Sequence, residues 1–129
     1  MDEIIFLTLE QVIEIQADQI ARYGGSHGTR DAALLQSAVA MPQATFGNQY
    51  LHGDLFEMAA AYLFHIVQNH PFVDGNKRVG AMAAFTFMRI NGYLLNADDI
   101  SFENLVLDAA RGKTTKEAVA DFFRKHVAG

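Results

Sequence analysis

Apolar residues recur at helical spacing along most of this 129-residue chain, interrupted by short polar or glycine-containing stretches. A first run through Ile13, Ile20 and Tyr23 opens on Thr8 with Gln11 three places on, the spacing of a capping box. It stops at Gly24-Gly25. Asp31 is placed to cap a second helix, Ala32 to Ala40, which Pro42 ends. From Asp54 to Asn69 the residues Leu55, Met58, Ala59, Tyr62, Leu63, Ile66 and Val67 fall on one helical stripe. The stretch Val79 to Met88 has no charged residue and therefore no charged face for solvent, so it is predicted to run through the middle of the fold. Its small residues Gly80, Ala81, Ala83 and Ala84 would let neighbouring helices come close, and Arg89 with Asn91-Gly92 ends it. Ser101 to Ala110 reads as a further helix capped by Ser101. Thr114 with Glu117 reads as a second capping box, opening a last helix through Phe122 and Phe123 to about His126.

Between Pro42 and about Gly53 the helical period disappears. Ala44 to Tyr50 instead places aromatic and β-branched residues around Gly47-Asn48, which predicts a short hairpin or flap. The competing expectation is a connection without regular structure, with Phe46 and Tyr50 folded onto the core. The pattern as a whole predicts an all-α fold of about six helices with one short β-hairpin.

Half the positions are hydrophobic, enough for one core at this length, so residues 1–129 are expected to form a single domain. No cysteine is present, which excludes a disulfide framework and thiol catalysis and suits a reducing, cytoplasmic compartment. The acidic start Met1-Asp2-Glu3 is unlike a signal peptide, and no apolar run approaches the ~20 residues of a spanning helix. A net charge of −5 argues against broad nonspecific binding to nucleic acid or to an anionic membrane.

Against that acidic background, His70-Pro71-Phe72-Val73-Asp74-Gly75-Asn76-Lys77-Arg78 gathers unlike chemistry into nine residues. Gly75 can adopt backbone angles that turn successive N–H groups toward one point. Asn76 is expected to cap the following helix, whose free amides and positive dipole end attract an anion. Lys77 and Arg78 add two full charges, and Asp74 offers a hard oxygen to a magnesium ion carried by a nucleotide. His70 is a candidate general base a few residues away. The set points to phosphoryl or nucleotidyl transfer. The alternative is an ordinary Pro/Gly connection with solvated cations. No P-loop, Rossmann glycine pattern or nucleophile elbow competes with it.

These nine residues resemble the signature of the Fic/Doc proteins, H-x-F-x-[D/E]-G-N-[G/K]-R, which His70, Phe72, Asp74, Gly75, Asn76, Lys77 and Arg78 match position by position. Fic-type adenylyltransferases usually have glycine where this chain has Lys77, and a second arginine where it has Ala81. Both departures resemble the death-on-curing (Doc) branch, as do Arg22 to Gly25, Gly28-Thr29-Arg30-Asp31 and the helical tail. The resemblance implies a compact Fic-type helical domain and a toxin of a type II toxin–antitoxin system. It also implies transfer of the γ-phosphate of ATP, as its magnesium complex, to a hydroxyl of a translation factor, with elongation factor Tu the leading candidate. His70, Asp74, Lys77 and Arg78 would then be catalytic. Phe72, Gly75, Asn76, Lys77 and Arg78 would bind the nucleotide, Asp74 would hold the metal, and the flap would align the target segment by strand addition. Two other readings stay open: AMP transfer from ATP, and a noncatalytic module that binds a nucleotide or a partner.

Self-restrained Fic proteins carry a [Ser/Thr]-x-x-x-Glu-[Gly/Asn] helix, and neither Glu10, Glu14, Glu57, Glu103 nor Glu117 follows a Ser or Thr at that spacing. The resemblance therefore implies restraint by a separate Phd-like antitoxin whose partly disordered segment folds onto this chain. Among the remaining residues, His65 is expected to be structural, because five residues from His70 it would not share a helical face with it. His27, His52 and His126 are expected to be solvated, as are Arg22 and Arg30 around the glycine-rich turn.

Overall fold

A computed structural model describes residues 3–128. Met1 and Asp2 of the acidic N-terminus, and Gly129, lie outside the described residues. Six α-helices follow in order: α1 Leu9–Tyr23, α2 Ala32–Ala40, α3 Leu55–Asn69, α4 Asn76–Ile90, α5 Asp99–Ala110 and α6 Lys116–His126. A 3₁₀ turn, Met41–Gln43, follows α2, and Pro42 supplies its fixed φ. The predicted hairpin is present: β1 Thr45–Phe46 pairs antiparallel with β2 Gln49–Tyr50 across Gly47-Asn48, both at positive φ. Its Phe46 stands 84% exposed and does not fold onto the core.

A second small ladder was not legible from the sequence. β3 Leu94–Leu95 pairs antiparallel with β4 Val127–Ala128, tying the chain's end to the segment after α4. Two residues per strand are too few for a period of two to show.

The core is organised about the α3–α4 pair. α3 buries Met58 to Leu63, Ile66 and Val67, and packs against α2, α4, α5 and α6. α4 packs against α1, α3 and α5, and no residue from Val79 to Met88 is exposed, as its lack of charge predicted. The close approach of the two helices depends on Gly80. A Cβ there would lie 2.9 Å from Val67 Cγ1 and 3.2 Å from the Leu63 carbonyl oxygen. Tyr62 is fully buried between Phe87 and the incoming N-terminal segment, and its hydroxyl oxygen accepts the Leu7 N–H at 2.9 Å. Burial pushes the Tyr62 phenol up to about 12.

Helix starts follow the expected chemistry with three changes of register, at α4, α5 and α6. Thr8 and Gln11 form a reciprocal capping box, and Asp31 and Asp54 accept from Leu34 N–H and Glu57 N–H. α5, however, is capped by Asp98, whose carboxylate accepts the Ser101 N–H, so Ser101 lies inside the helix. Likewise Thr115, not Thr114, caps α6 by accepting the Ala118 N–H. In each case the alternative capping residue stood nearby, and backbone register decided between them.

Two histidines, His52 and His126, lie differently from expectation, while His65 is structural as expected. His52 is buried, and Lys116 Nζ donates to its Nε2 at 3.2 Å and to His65 Nε2 at 3.0 Å. A lysine ammonium has only donors, so against a charged Lys116 both rings accept at Nε2. Burial, then Lys116, pushes His65 down to about 4 and His52 down as well. His126 is half-buried, stacked on Phe122 with its Nδ1 at 2.7 Å from the Phe122 carbonyl. Of the three histidines expected to be solvated, His27 alone is exposed.

Candidate active site

The loop 70–75 joins the two central helices, and each of its turns has a local cause. α3 cannot continue past Pro71, so His70 caps it in the left-handed conformation, φ 53 and ψ 49, with its N–H donating to Ile66 O. Phe72 is 1% exposed, its ring in the core, and does not line the site expected of a nucleotide contact. It anchors the loop instead. Asn76 holds it there: Oδ1 accepts the Phe72 N–H at 2.9 Å, and Nδ2 donates to the Phe72 carbonyl at 3.0 Å.

Asn76 is therefore not the cap. Gly75 occupies that position at φ 78, ψ 16, while Asn76 is the first residue of α4 and its side chain is buried. The consequence for the helix end is specific. Side chains of Thr8, Asp31, Asp54, Asp98 and Thr115 cap the other five described α-helices, whereas α4 has no side-chain cap. The first N–H groups of α4 are left without an intrahelical acceptor beside Lys77 and Arg78. They face a cavity of about 330 Å³ lined by His70, Val73, Asp74, Gly75, Asn76, Lys77 and Arg78.

The charged residues play unequal parts. Lys77 is exposed and makes no ion pair among the described residues. Arg78 is partly committed to structure: Nη2 donates to Gly24 O at 3.1 Å and Nη1 to Gln19 O at 3.4 Å, and the guanidinium lies 5.9 Å from the Tyr23 ring centroid. It thus caps the C-terminus of α1 as well as adding positive charge to the cavity. Asp74 accepts the Ser26 N–H at 3.1 Å and the Gly75 N–H at 2.8 Å. Those two donors, then Arg78, hold its carboxyl below the usual carboxylate range, so it is ionised at neutral pH.

What the sequence did not reveal is the part played by residues 24–31. This segment runs beside the motif loop along its length. Ser26 N–H reaches Asp74, Gln16 Nε2 donates to both Ser26 O and Asp74 O at 3.3 Å, and Gly28 O accepts the Val73 N–H. Thr29 pairs with Phe72 as an isolated antiparallel bridge. Arg30 is exposed, as expected, and its guanidinium also donates to the Asn69 and His70 carbonyls. Arg22 does behave as expected, in an exposed pair with Asp18. Gly25 is the one position where the approach demands glycine, since a Cβ would lie 2.6 Å from Asp74 Oδ2 at φ +117. The Gly24-Gly25-x-x-Gly28 spacing was the available signal.

Beyond Lys77 and Arg78 the cavity meets an apolar groove of about 690 Å³ between α1, α4 and α5, floored by Ala81, Met82, Phe85 and Val106 and edged by Asp99 and Glu103. The central α4 therefore keeps one half-buried face open to this groove. No helix of the described residues is long and apolar enough to cross a membrane, and no group of three acidic, histidine or cysteine side chains among them could hold a metal alone.

Comparison with known proteins agrees with the resemblance seen in the motif. The Fic/DOC family model matches residues 6–88. A protein named Toxin Doc from Mycolicibacterium smegmatis is 47% identical over 76 residues, which cover 59% of this chain and 58% of that toxin, so the match spans little more than half its length. A protein named Protein kinase doc from Escherichia phage P1 is 33% identical over 116 residues, 90% of each chain. With six helices, the signature loop between the two central ones and these relatives, the chain belongs to the Fic/DOC family, in its Doc branch.

Proposed function

We propose that this chain is the toxin of a toxin–antitoxin pair and acts in the cytoplasm by moving the γ-phosphate of ATP to a hydroxyl of a translation factor, elongation factor Tu being the leading candidate. The observation that carries this reading is the uncapped start of α4 facing a cavity with Lys77, Arg78, Asp74 and His70 around it. The name of the phage P1 relative, Protein kinase doc, supports the phosphotransferase form of it. An exposed, unpaired Lys77 where an adenylyltransferase would have glycine favours the same form.

In this mechanism His70 takes the proton of the target hydroxyl as its oxygen bonds to the γ-phosphorus, and the bond from that phosphorus to the bridging oxygen breaks to release ADP. The α4 amides, Lys77 and Arg78 stabilise charge on the transferring group, which is where most of the catalytic advantage arises. Asp74 fits magnesium in one respect: a single ionised carboxylate suits an ion that arrives on nucleotide phosphates, as magnesium does. Bound there, the ion would neutralise phosphate charge. The exposed Phe46 supports the flap as the element that meets the target segment, and a Phd-like antitoxin would restrain the toxin by covering the His70 cavity.

The test is transfer to purified elongation factor Tu from ATP labelled at either the γ- or the α-phosphate, with magnesium. Label from the γ-position alone is expected. Label from the α-position would replace this reading with AMP transfer, and no label on any protein of a cell extract would leave a noncatalytic module.

A further inference from the structure

His70 is held in a conformation it would not choose. It stands at φ 53 directly before Pro71, although a residue preceding proline favours extended backbone and few non-glycine residues enter the left-handed region. Such backbone persists only where its surroundings hold it. Part of the support is main-chain: the Pro71 carbonyl accepts the N–H groups of Arg30 at 2.7 Å and Asp31 at 3.0 Å. The two preceding carbonyls are held by one side chain. Arg30 Nε donates to His70 O at 2.7 Å, and Nη2 donates to Asn69 O at 3.0 Å. Both belong to the end of α3, where carbonyls lack an intrahelical donor and a cation also meets the negative end of the helix dipole. Arg30 has no carboxylate partner among the described residues, so its charge is directed to this helix end.

We propose that Arg30 is a positioning residue for His70: its guanidinium fork on the Asn69 and His70 carbonyls locks the left-handed cap that sets the imidazole at the cavity. This rests on the reading of His70 as the base. Arg30 does not line the cavity, so it acts through His70 and not on the nucleotide. Lysine at this position would keep the charge but lose the two-pronged geometry.

The experiment compares the unaltered chain with Arg30→Ala and Arg30→Lys. Far-UV circular dichroism checks the fold. The three-bond coupling between the His70 amide and α hydrogens, measured without nucleotide, reads its backbone conformation. In parallel, kcat and KM for ATP are measured for γ-phosphate transfer. In folded Arg30→Ala the coupling should leave its left-handed value, kcat should fall about 10- to 100-fold, and KM should change by less than about twofold. Added guanidinium ion should restore part of kcat, and Arg30→Lys should fall between. If Arg30→Ala does not fold, Arg30→Lys carries the same comparison. A folded variant with an unchanged His70 coupling, or one that keeps its kcat, overturns the proposal. If the unaltered chain transfers no phosphate, the functional reading fails, while the coupling still decides whether Arg30 locks the cap.

Discussion

Asn76 and Phe72 match a family signature by type, yet both are buried and the Asn76 amide pairs with the Phe72 backbone to hold the loop together. The sequence made the residue types legible and not the direction each side chain faces, because direction depends on the backbone turn at Gly75 and on a core that no local pattern specifies. His52 is buried, and exposed Arg30 is hydrogen-bonded, for the same reason: each meets a group distant in sequence, Lys116 for one and the end of α3 for the other. The His65 ring gives a testable consequence. Its pKa is near 4 in the fold and about 6.5 in an unfolded chain, so above pH 6.5 both states are neutral and nothing is lost. As pH falls from 6.5 toward 4, the unfolded chain binds a proton that the folded one refuses, and stability drops. Allowing for solvent screening of this half-buried ring, the loss between pH 7 and 5 is about 1 kcal/mol. Urea unfolding at the two pH values should show it, and His65→Gln should flatten the dependence. A His65 resonance titrating near 6.5 in the folded protein would refute the assignment.

The six helices were legible because each carries an apolar stripe and most begin on a side-chain cap. The α4 start was misassigned because Asn76, a common capping residue, has Gly75 in the cap position just before it. That helix end is the exception that matters, since an absent side-chain cap leaves room for an anion. The position of α4 depends in turn on its contact with α3 at Gly80. Glycine in a helix costs about 1 kcal/mol relative to alanine, so its presence here reflects packing and not propensity. Gly80→Val would drive a stiff, branched side chain into Val67 and the Leu63 carbonyl. The expected loss is about 2–3 kcal/mol, read as a lower urea midpoint with an unchanged slope. An unaltered midpoint would show that the two helices part without cost.

Taken together, the two central helices and the 24–31 segment place a base, a carboxylate and an anion-binding helix end around one cavity on an otherwise acidic molecule. The motif made this chemistry legible; the α1–α2 connection that braces it was not, because its hydrogen bonds are mostly backbone and carry little sequence signature. On the proposed reading this loop transfers the γ-phosphate with His70 as base. That reading is tested most directly by the rate at which γ-labelled phosphate reaches elongation factor Tu, for the unaltered chain and for His70→Ala. His70 is exposed at the loop, so the variant should keep its fold and thermal midpoint while the rate falls at least about 100-fold. A folded His70→Ala chain that transfers label at the unaltered rate would contradict the account.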